Sequence, residues 1–292
     1  MSECGCAGED VTISGAAKLA GVVGWPVAHS LSPRLHSLWL RRYRIDGAYV
    51  PLAVRPDDLA DVLAALPRLG FRGVNLTVPH KERGLALVHR ATPAARRIGA
   101  VNTIVIARDG TLIGSNTDMF GFLENIRSSV PGWQADRGPA VVIGAGGAAR
   151  AITFALYEEG APEIRIANRT LSRAIAIGAA FAGPIRPVAW VDRAAALEGA
   201  SLVVNTTTLG MRHQPPLDLD LSALPRDAVV CDIVYVPAET TLLAGARSRG
   251  NPCVGGLGML LHQARPGFAA WFGCMPEVTD ELAAEVAAAV SL

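Results

Sequence analysis

A lysine follows a strand-like run in the stretch VNLTVPHKERGL, residues 74–85. The run from Val74 to Val78 is of β type, Pro79 ends it, and Lys81 falls in the predicted first turn of a helix. A cation at a helix N-terminus is disfavoured by the helix dipole. The placement therefore indicates either a lysine exposed to solvent, the commonest position for this residue type, or one that exchanges a proton during catalysis.

A glycine-rich turn occupies the stretch VVIGAGGAAR, where an apolar strand runs into a helix. Gly144, Gly146 and Ala149 fit the pattern G-x-G-x-x-G/A of dinucleotide-binding proteins. The first glycine permits the tight turn, the second lets the backbone approach a pyrophosphate, and the small third residue allows close packing of helix on strand. A turn with a purely structural role is the alternative for so short a pattern.

The end of the next predicted strand indicates which dinucleotide is bound. An NAD site has an acidic residue about twenty positions after the glycines. This chain instead has Asn168, Arg169 and Thr170, followed by Arg173. Two guanidinium groups beside amide and hydroxyl donors suit the 2′-phosphate of NADP, because guanidinium binds phosphate through two parallel hydrogen bonds. Two solvated surface arginines are the alternative.

Two serines precede a proline in the stretch AHSLSP. Ser30 and Ser32 would stand at the N-terminus of the helix that Pro33 begins. Two hydroxyls beside a helix N-terminus suit a small carboxylate, because the backbone N–H groups there attract an anion. The alternative is that Ser32 only caps the helix.

Four further polar residues have ordinary structural explanations when each is taken alone. Thr77 ends a strand-like run, and Asn102 could satisfy a turn. Asp118 could cap the helix that follows it. Gln263 shares a helix face with Met259, so a surface amide is its simplest interpretation. None of these residues indicates a site by itself.

Alternating strands and helices must position these residues. The first hundred or so residues predict a mixed α/β unit with a hairpin that turns at Asp109–Gly110. After the linker-like segment VPGWQADRG, continuous apolar strands separated by helices are typical of a parallel sheet covered on both faces. Two last helices, GMLLHQARPGFAAWFG and VTDELAAEVAAAV, are candidates to pack back on the first unit.

Composition argues against several classes of partner. The 292 residues suit two domains, and a net charge of +1 with 18% charged residues favours neither nucleic acid nor an acidic membrane surface. Neither a transmembrane helix nor a signal peptide is predicted. The cysteines lack zinc-site spacing, so we expect no metal, and reduced thiols predict a cytoplasmic protein. They are Cys4, Cys6, Cys231, Cys253 and Cys274.

Taken together, the motifs follow the order found in one enzyme family. From about residue 19 to about residue 275 the chain resembles the shikimate dehydrogenases. The combination of HSLSP, N-x-T-x-PHK and NTD is the most specific part of the resemblance. The matching stretches are GWPVAHSLSPRLH, GVNLTVPHK, GAVNTI, GSNTDMFGF, VVIGAGGAARAI, ANRT, NTTTLGM, DIVYVPAETTLL and GLGMLLHQA.

The resemblance implies an α/β protein of two domains. A flexible tail would cover residues 1–17, followed by an N-terminal α/β substrate domain over residues 18–118 that residues 256–292 rejoin as C-terminal helices. A Rossmann-type doubly wound domain over residues 119–255 would bind NADP. The expected partner is a small-molecule substrate, and the expected assembly is a monomer or homodimer.

The resemblance also implies reversible, NADP-dependent reduction of 3-dehydroshikimate to shikimate, in aromatic amino acid biosynthesis. In the family pattern, Lys81 and Asp118 are the catalytic pair at the reacting oxygen. The residues implied to bind substrate are Ser30, Ser32, Thr77, Lys81, Asn102, Asp118, Tyr235 and Gln263. Those implied to bind the cofactor are Gly144, Ala145, Gly146, Gly147, Ala148, Asn168, Arg169, Thr170, Arg173, Gly256 and Met259.

Two positions depart from the family pattern. The tripeptide GWP, which contains Trp25, stands where GNP or GDP is usual, and Thr208 stands where Pro or Ser is more usual. Because Trp25 is close to the substrate loop, a quinate/shikimate or aminoshikimate dehydrogenase that uses NAD or NADP stays open. A catalytically silent nucleotide sensor on the same fold is an alternative from another class. The presence of both Lys81 and Asp118 speaks against it.

Overall fold

The computed structural model describes residues 13–181 and 183–288, which form two units, each built on a six-stranded sheet. Most of the tail predicted at residues 1–17 lies outside this range. In its last part, the Ser14 backbone N–H donates to Asp46 Oδ1 at 3.1 Å. Among the described residues, no helix is long and apolar enough to cross a membrane, and no three His, Cys, Asp or Glu side chains are grouped to hold a metal ion.

The first sheet mixes parallel and antiparallel strands. Its strands are β1 (Lys18–Gly24), β2 (Gly47–Ala53), β3 (Phe71–Leu76), β4 (Arg90–Ala91), β5 (Thr103–Ile106) and β6 (Leu112–Ser115). In the order β2-β1-β3-β5-β6-β4, strand β1 pairs in parallel with β2 and β3, whereas β5 pairs antiparallel with β3 and β6. The predicted hairpin is confirmed, because β5 and β6 join through a turn in which Gly110 has a φ of +84°.

Local sequence signals place the helices of this unit. They are α1 (Ser32–Arg42), α2 (Leu59–Ala65), α3 (Lys81–Leu87), α4 (Pro93–Ile98) and α5 (Asp118–Ser129). In α4, the Thr92 side chain accepts from the Ala95 N–H, and Gly99 ends the helix in the left-handed region. Helix α1 has one apolar face, since Leu35 and Trp39, four positions apart, are both buried.

The second sheet is entirely parallel, as its continuous apolar strands predict. Its strands are β7 (Ala140–Ile143), β8 (Ile164–Asn168), β9 (Ile185–Ala189), β10 (Leu202–Asn205), β11 (Val229–Asp232) and β12 (Cys253–Val254). The order β12-β11-β10-β7-β8-β9 is that of a doubly wound dinucleotide-binding sheet. Its helices are α6 (Gly147–Glu158), α7 (Leu171–Phe181) and α8 (Thr241–Arg249). Ligands bind such sheets in the crevice at the carboxyl ends of the two middle strands, here β7 and β10.

The last two helices pack on the first sheet. They are α9 (Gly256–Phe272) and α10 (Asp280–Ala288). Leu261 and Phe268 of α9 share a buried cluster with Val22 of β1. Trp271 Nε1 donates to the Ile104 carbonyl at 3.0 Å. The first unit is thus completed by the C-terminal end of the described chain, as the fold prediction has it.

Helices α5 and α9 meet in a close, glycine-lined contact. A Cβ atom added at Gly121 would lie 2.5 Å from Gln263 Cβ, and one at Gly258 would overlap the Asn125 side chain. Asn125 Nδ2 also donates to the Gly255 carbonyl at 2.9 Å. These two helices lie where the chain passes between the units, so a larger side chain at either glycine would force that joint apart.

A buried histidine lies in the aromatic core of the first unit. The His36 ring is fully buried and stacks on the Tyr49 ring, with centroids 3.8 Å apart and planes 4° from parallel. Neither ring nitrogen has a hydrogen-bond partner. Burial without a partner disfavours the imidazolium, and it lowers the pKa of His36 from 6.5 to about 3.

His36→Phe is expected to make the fold more resistant to acid. Because the folded pKa lies below the unfolded value, wild-type stability is complete above pH 6.5 and is lost as the pH falls towards 3. At pH 5 the wild type therefore loses about 2 kcal/mol of unfolding free energy, and the phenylalanine variant does not. Urea unfolding at pH 8 and pH 5 measures the difference. His29→Gln, at an exposed histidine, is the control. The argument would be contradicted if the difference in unfolding free energy between His36→Phe and wild type were no larger at pH 5 than at pH 8.

Candidate active site

Lys81 and Asp118 form a buried ion pair at the starts of two helices. Lys81 opens α3, Asp118 opens α5, and Lys81 Nζ donates to Asp118 Oδ2 at 2.6 Å. The side chains are 17% and 4% exposed, so Lys81 is not the solvated lysine of the alternative interpretation. The carboxylate lies where the dipole of α5 favours a negative charge. The fold therefore brings a possible proton carrier and its counter-ion into one contact.

Asn102 links this pair to Gln263 of α9. Asn102 Nδ2 donates to Asp118 Oδ1 at 2.8 Å and to Gln263 Oε1 at 3.3 Å. Asn102 Oδ1 accepts from the Thr117 backbone N–H at 2.8 Å. The side chain thus satisfies the turn before α5, as its ordinary interpretation predicts, and it also orients the Asp118 carboxylate. Gln263 is half-buried and is not a free surface amide.

The two capping interpretations, of Ser32 and of Asp118, are wrong. Helix α1 begins at Ser32 itself without a side-chain cap, and the Ser30 hydroxyl accepts from the Ser32 N–H at 3.3 Å. Helix α5 begins at Asp118, whose N–H donates to Asn116 Oδ1 at 3.0 Å. In both cases the side chain two positions earlier satisfies the helix start. The Ser32 hydroxyl and the Asp118 carboxylate are therefore left for other contacts.

The serine loop meets a tyrosine from the second unit. Tyr235 follows β11, and its phenol hydrogen bonds with the backbone of Leu31, between Ser30 and Ser32. Burial raises the pKa of Tyr235, so the phenol stays protonated. Its loop is fastened by the buried Asp232, whose Oδ2 accepts from Thr240 Oγ1 at 2.7 Å and whose pKa burial raises to about 6. A tyrosine hydroxyl of the second unit thus reaches the loop that carries the two serines.

A buried chain of hydrogen bonds joins the serine loop to the lysine pair. Tyr49 Oη donates to Asn75 Oδ1 at 2.6 Å and also hydrogen bonds with the Ser32 side chain. Asn75 Nδ2 donates to Thr103 Oγ1 at 3.0 Å, and Thr103 Oγ1 donates to Asn102 Oδ1 at 3.0 Å. Tyr49, Asn75 and Thr103 were not among the residues predicted from the sequence. Their only signal was a polar group inside an apolar strand, which must find a partner when it is buried.

Trp25 and Thr77 directly follow the carboxyl ends of β1 and β3. The Thr77 N–H donates to the Val23 carbonyl at 2.9 Å, and the Trp25 N–H donates to the Val78 carbonyl at 3.0 Å. The Thr77 methyl group lies where a side chain at Gly24 would have to fit. The Trp25 side chain is 42% exposed, and the Arg55 guanidinium lies 5.5 Å from its ring centre. The departure at Trp25 therefore places a partly exposed aromatic ring beside Arg55.

The glycine-rich turn has the shape that a dinucleotide needs. Gly144 has a φ of +114°, and a Cβ atom there would lie 2.5 Å from Thr206 Oγ1. A Cβ atom at Gly146 would meet nothing within 4 Å, so the backbone is open for the approach of a pyrophosphate. A Cβ atom at Gly147 would lie 2.9 Å from Lys81 Cβ. The residues present fit the predicted cofactor, and the turn lies directly against the catalytic candidate.

The predicted 2′-phosphate residues lie at the carboxyl end of β8. Asn168 Nδ2 donates to the Thr170 carbonyl at 2.9 Å, and Arg169 is exposed. Arg173, in the first turn of α7, forms an ion pair with Glu82 of α3 at 2.6 Å. Strand β8 itself ends without an acid, as the sequence shows. Glu82, which sequence analysis missed, supplies a carboxylate there from the other unit.

Gly256 and Met259 lie at the start of α9. A Cβ atom at Gly256 would overlap the backbone of Ile233, so only glycine fits this close approach to the end of β11. Met259 is 6% exposed and belongs to the same buried cluster as Val254 at the end of β12. Both residues are thus near the carboxyl ends of the parallel strands, the side on which the glycine turn lies.

Two protein-family models match this chain. The model described as "Shikimate dehydrogenase substrate binding domain" matches residues 22–104, and that described as "Shikimate / quinate 5-dehydrogenase" matches residues 128–212. Together they cover more than half of the sequence, and they include most of the site above. The chain belongs to the shikimate dehydrogenase family. The predicted family and its two-domain α/β fold are thereby confirmed.

Individual members of the shikimate dehydrogenase family are similar over almost the whole chain. The shikimate dehydrogenase (NADP(+)) of Paramagnetospirillum magneticum is 61% identical over 274 residues, which are 94% of this chain and 99% of the relative. A Thermus thermophilus shikimate 5-dehydrogenase, solved with NADP(H) and shikimate, is 37% identical with a TM-score of 0.82, over 94% and 99% of the two chains. A Corynebacterium glutamicum quinate dehydrogenase, solved with NAD, is 31% identical with a TM-score of 0.83, over the same shares.

Proposed function

We propose that the protein catalyses the reversible, NADP-dependent reduction of 3-dehydroshikimate to shikimate, a step of aromatic amino acid biosynthesis. The observation that carries the proposal is the 2.6 Å contact of Lys81 with Asp118, with Lys81 packed against Gly147 of the glycine turn. Oxidoreduction of a secondary alcohol moves a hydride and a proton at one carbon–oxygen unit. A proton carrier packed against a glycine turn that suits a dinucleotide brings the source of the proton and the site for the hydride carrier together.

In the mechanism that we propose, Lys81 is the acid and base. Bound NADP would supply the hydride for the reduction and would accept it in the oxidative direction. Lys81 Nζ gives its proton to the carbonyl oxygen as that oxygen becomes a hydroxyl, and it takes the proton back in the oxidative direction. Asp118 accepts a hydrogen bond from Nζ and so orients it, while Asn102 holds the other carboxylate oxygen at 2.8 Å. The chain's part in the reaction is thus to position the substrate and to transfer the proton.

Substrate orientation is proposed to come from the two polar ends of the cleft. The substrate carboxylate would bind the hydroxyls of Ser30, Ser32 and Tyr235, which the helix start of α1 and the Tyr235–Leu31 contact bring together. This places the ring between that loop and Lys81. The residues proposed to contact the ring hydroxyls are Thr77, Asn102 and Gln263.

The cofactor is proposed to lie along the carboxyl ends of the second sheet. The open backbone at Gly146 supports a pyrophosphate there, at the N-terminus of α6. The proposed pyrophosphate residues are Gly144, Ala145, Gly146, Gly147 and Ala148. The proposed 2′-phosphate residues are Asn168, Arg169, Thr170 and Arg173, and those beside the nicotinamide are Gly256 and Met259.

We further propose that the substrate and nucleotide domains divide near residue 118 and near residues 255–256, where the chain passes between the two sheets. The protein is proposed to act in the cytoplasm as a monomer or homodimer. The free thiols of Cys231, Cys253 and Cys274 support a reducing compartment. Light scattering coupled to size-exclusion chromatography measures the assembly.

A crossed assay tests the proposed function. Shikimate and quinate are each combined with NADP⁺ and NAD⁺, and the appearance of the reduced nicotinamide is followed by absorbance. We expect the highest kcat/KM for shikimate with NADP⁺. Turnover of quinate with NAD⁺ above that of shikimate with NADP⁺ would replace the proposal by a quinate dehydrogenase, which the likeness to the C. glutamicum enzyme makes the second candidate. No turnover in any combination would leave a nucleotide-binding sensor.

A further inference from the structure

Glu82 lies between two arginines of the second unit. Its Oε1 atom is 2.6 Å from Arg173 Nη2, and its Oε2 atom is 3.7 Å from Arg150 Nε. Glu82 is on α3, whereas Arg150 is on α6 and Arg173 on α7. One carboxylate from the first unit therefore faces two guanidinium groups that flank the proposed dinucleotide site.

The position of Glu82 ties this cluster to the active site. Glu82 follows Lys81 in the chain, and the Lys81 side chain packs on Gly147 at the start of α6. Arg173 is three residues after Thr170, in the turn proposed to receive the 2′-phosphate. The Arg173 guanidinium is half exposed, so an incoming ligand can reach it. The group that would bind the phosphate thus already has an anionic partner.

Charge makes this pairing selective between the two nicotinamide dinucleotides. A 2′-phosphate carries about two negative charges at neutral pH, so it competes with the Glu82 carboxylate for Arg173 and is repelled by it. The ribose hydroxyl that NAD has at the same position is neutral and does not displace a carboxylate. Binding of NADP must therefore break the Glu82–Arg173 pair, whereas binding of NAD can leave it in place.

Arg150 provides a second partner for the displaced carboxylate. Its side chain is 17% exposed, and its buried Nε atom has no hydrogen-bond partner in the structure. A small rotation of Glu82 away from Arg173 would shorten the 3.7 Å separation and satisfy that Nε–H group. The two arrangements exchange one arginine for the other without leaving the carboxylate unpaired.

We propose that Glu82 is a specificity-determining residue that competes with the NADP 2′-phosphate for Arg173 and thereby limits how strongly NADP is preferred over NAD. The inference rests on the proposed function, since it needs Arg173 to bind the 2′-phosphate. It predicts that Glu82→Gln, which keeps the shape of the side chain and removes its charge, tightens NADP binding. NAD affinity should change much less.

The experiment measures the dissociation constants of NADPH and NADH by nicotinamide fluorescence for the wild type, Glu82→Gln, Arg173→Gln and the double variant. In Glu82→Gln we expect the ratio of NADH to NADPH dissociation constants to rise about threefold to fivefold, the size that a partly exposed ion pair supports. In the Arg173→Gln background the effect should vanish. Glu158→Gln is the matched control, because Glu158 forms a similarly exposed pair with Arg97 at the far end of α6.

Each other outcome overturns the inference. The set of variants shows whether the competition by Glu82, the assignment of Arg173 or the proposed function itself is wrong. Suppose that the ratio of NADH to NADPH dissociation constants is unchanged or lower in Glu82→Gln but falls in Arg173→Gln. Arg173 would then still bind the 2′-phosphate, and only the proposed competition by Glu82 would be overturned. Equal tightening of both dinucleotides would mean that Glu82 repels the shared pyrophosphate. Equal weakening of both by Arg173→Gln would overturn the assignment of Arg173 to the 2′-phosphate and this inference with it. Absence of binding by the wild type would overturn the proposed function as well.

Discussion

Replacing Lys81 by alanine is expected to lower kcat about a thousandfold and to change KM only a few-fold, as loss of a general acid and base does. The reason is the geometry: Lys81 Nζ is the buried cation that Asp118 orients, and its stem packs on the glycine turn. Steady-state kinetics with shikimate and NADP⁺ measure both constants.

The variant Lys81→Arg separates proton transfer from charge. Arginine keeps a positive charge and hydrogen-bond donors, but it does not lose its proton at any ordinary pH. We therefore expect it to lose as much kcat as alanine does. Lys18→Ala is the control, since Lys18 Nζ donates to the Phe272 carbonyl far from the pair. A loss confined to KM, or an active arginine variant, would make Lys81 a binding residue.

Arg169→Ala is expected to weaken NADP binding roughly ten- to a hundredfold, the value of charge-assisted hydrogen bonds to a phosphate. NAD, which lacks the 2′-phosphate, should lose little. Arg169 is exposed at the end of β8, and it has no ion-pair partner among the described residues, so its guanidinium is available to a ligand. Fluorescence titration with NADPH and NADH measures the two affinities.

The matched control for this experiment is Arg186→Ala. Arg186 is an exposed arginine on the neighbouring strand β9, and its partner is Glu163. It should leave both affinities unchanged. Equal weakening of NADPH and NADH by Arg169→Ala would remove the 2′-phosphate assignment and leave NADP preference without a source at this strand end.

The fold was largely predictable, because its signals are local. Continuous apolar strands predicted the parallel sheet, and the turn at Asp109–Gly110 predicted the hairpin. The glycine turn was recognisable from one short segment. A further signal for Lys81 was available: the chain has 27 lysines and arginines, and only Lys18 and Lys81 are lysines. A position that must release a proton cannot use arginine.

The unpredicted part of the site depends on contacts between distant segments. Glu82 and Arg173 are 91 residues apart in sequence, and only the packing of α3 against the helices of the second unit brings them together. Tyr49 and Asn75 look like ordinary strand residues until the pairing of β1 with β2 and β3 places them in one layer. The capping predictions failed for a local reason, since Ser30 and Asn116 satisfy the helix starts from two positions earlier.

The return of α9 to the first sheet has a consequence for synthesis on the ribosome. Val22, Leu35 and Trp39 are made early, but the residues that cover them, such as Leu261 and Phe268, are made near the end. At ribosomal speeds this face waits roughly ten to forty seconds for its cover. The parallel sheet of the second unit needs nothing beyond β12 to close. The domain translated first is therefore the one that finishes folding last, and its apolar face stays exposed on the nascent chain until α9 has been made.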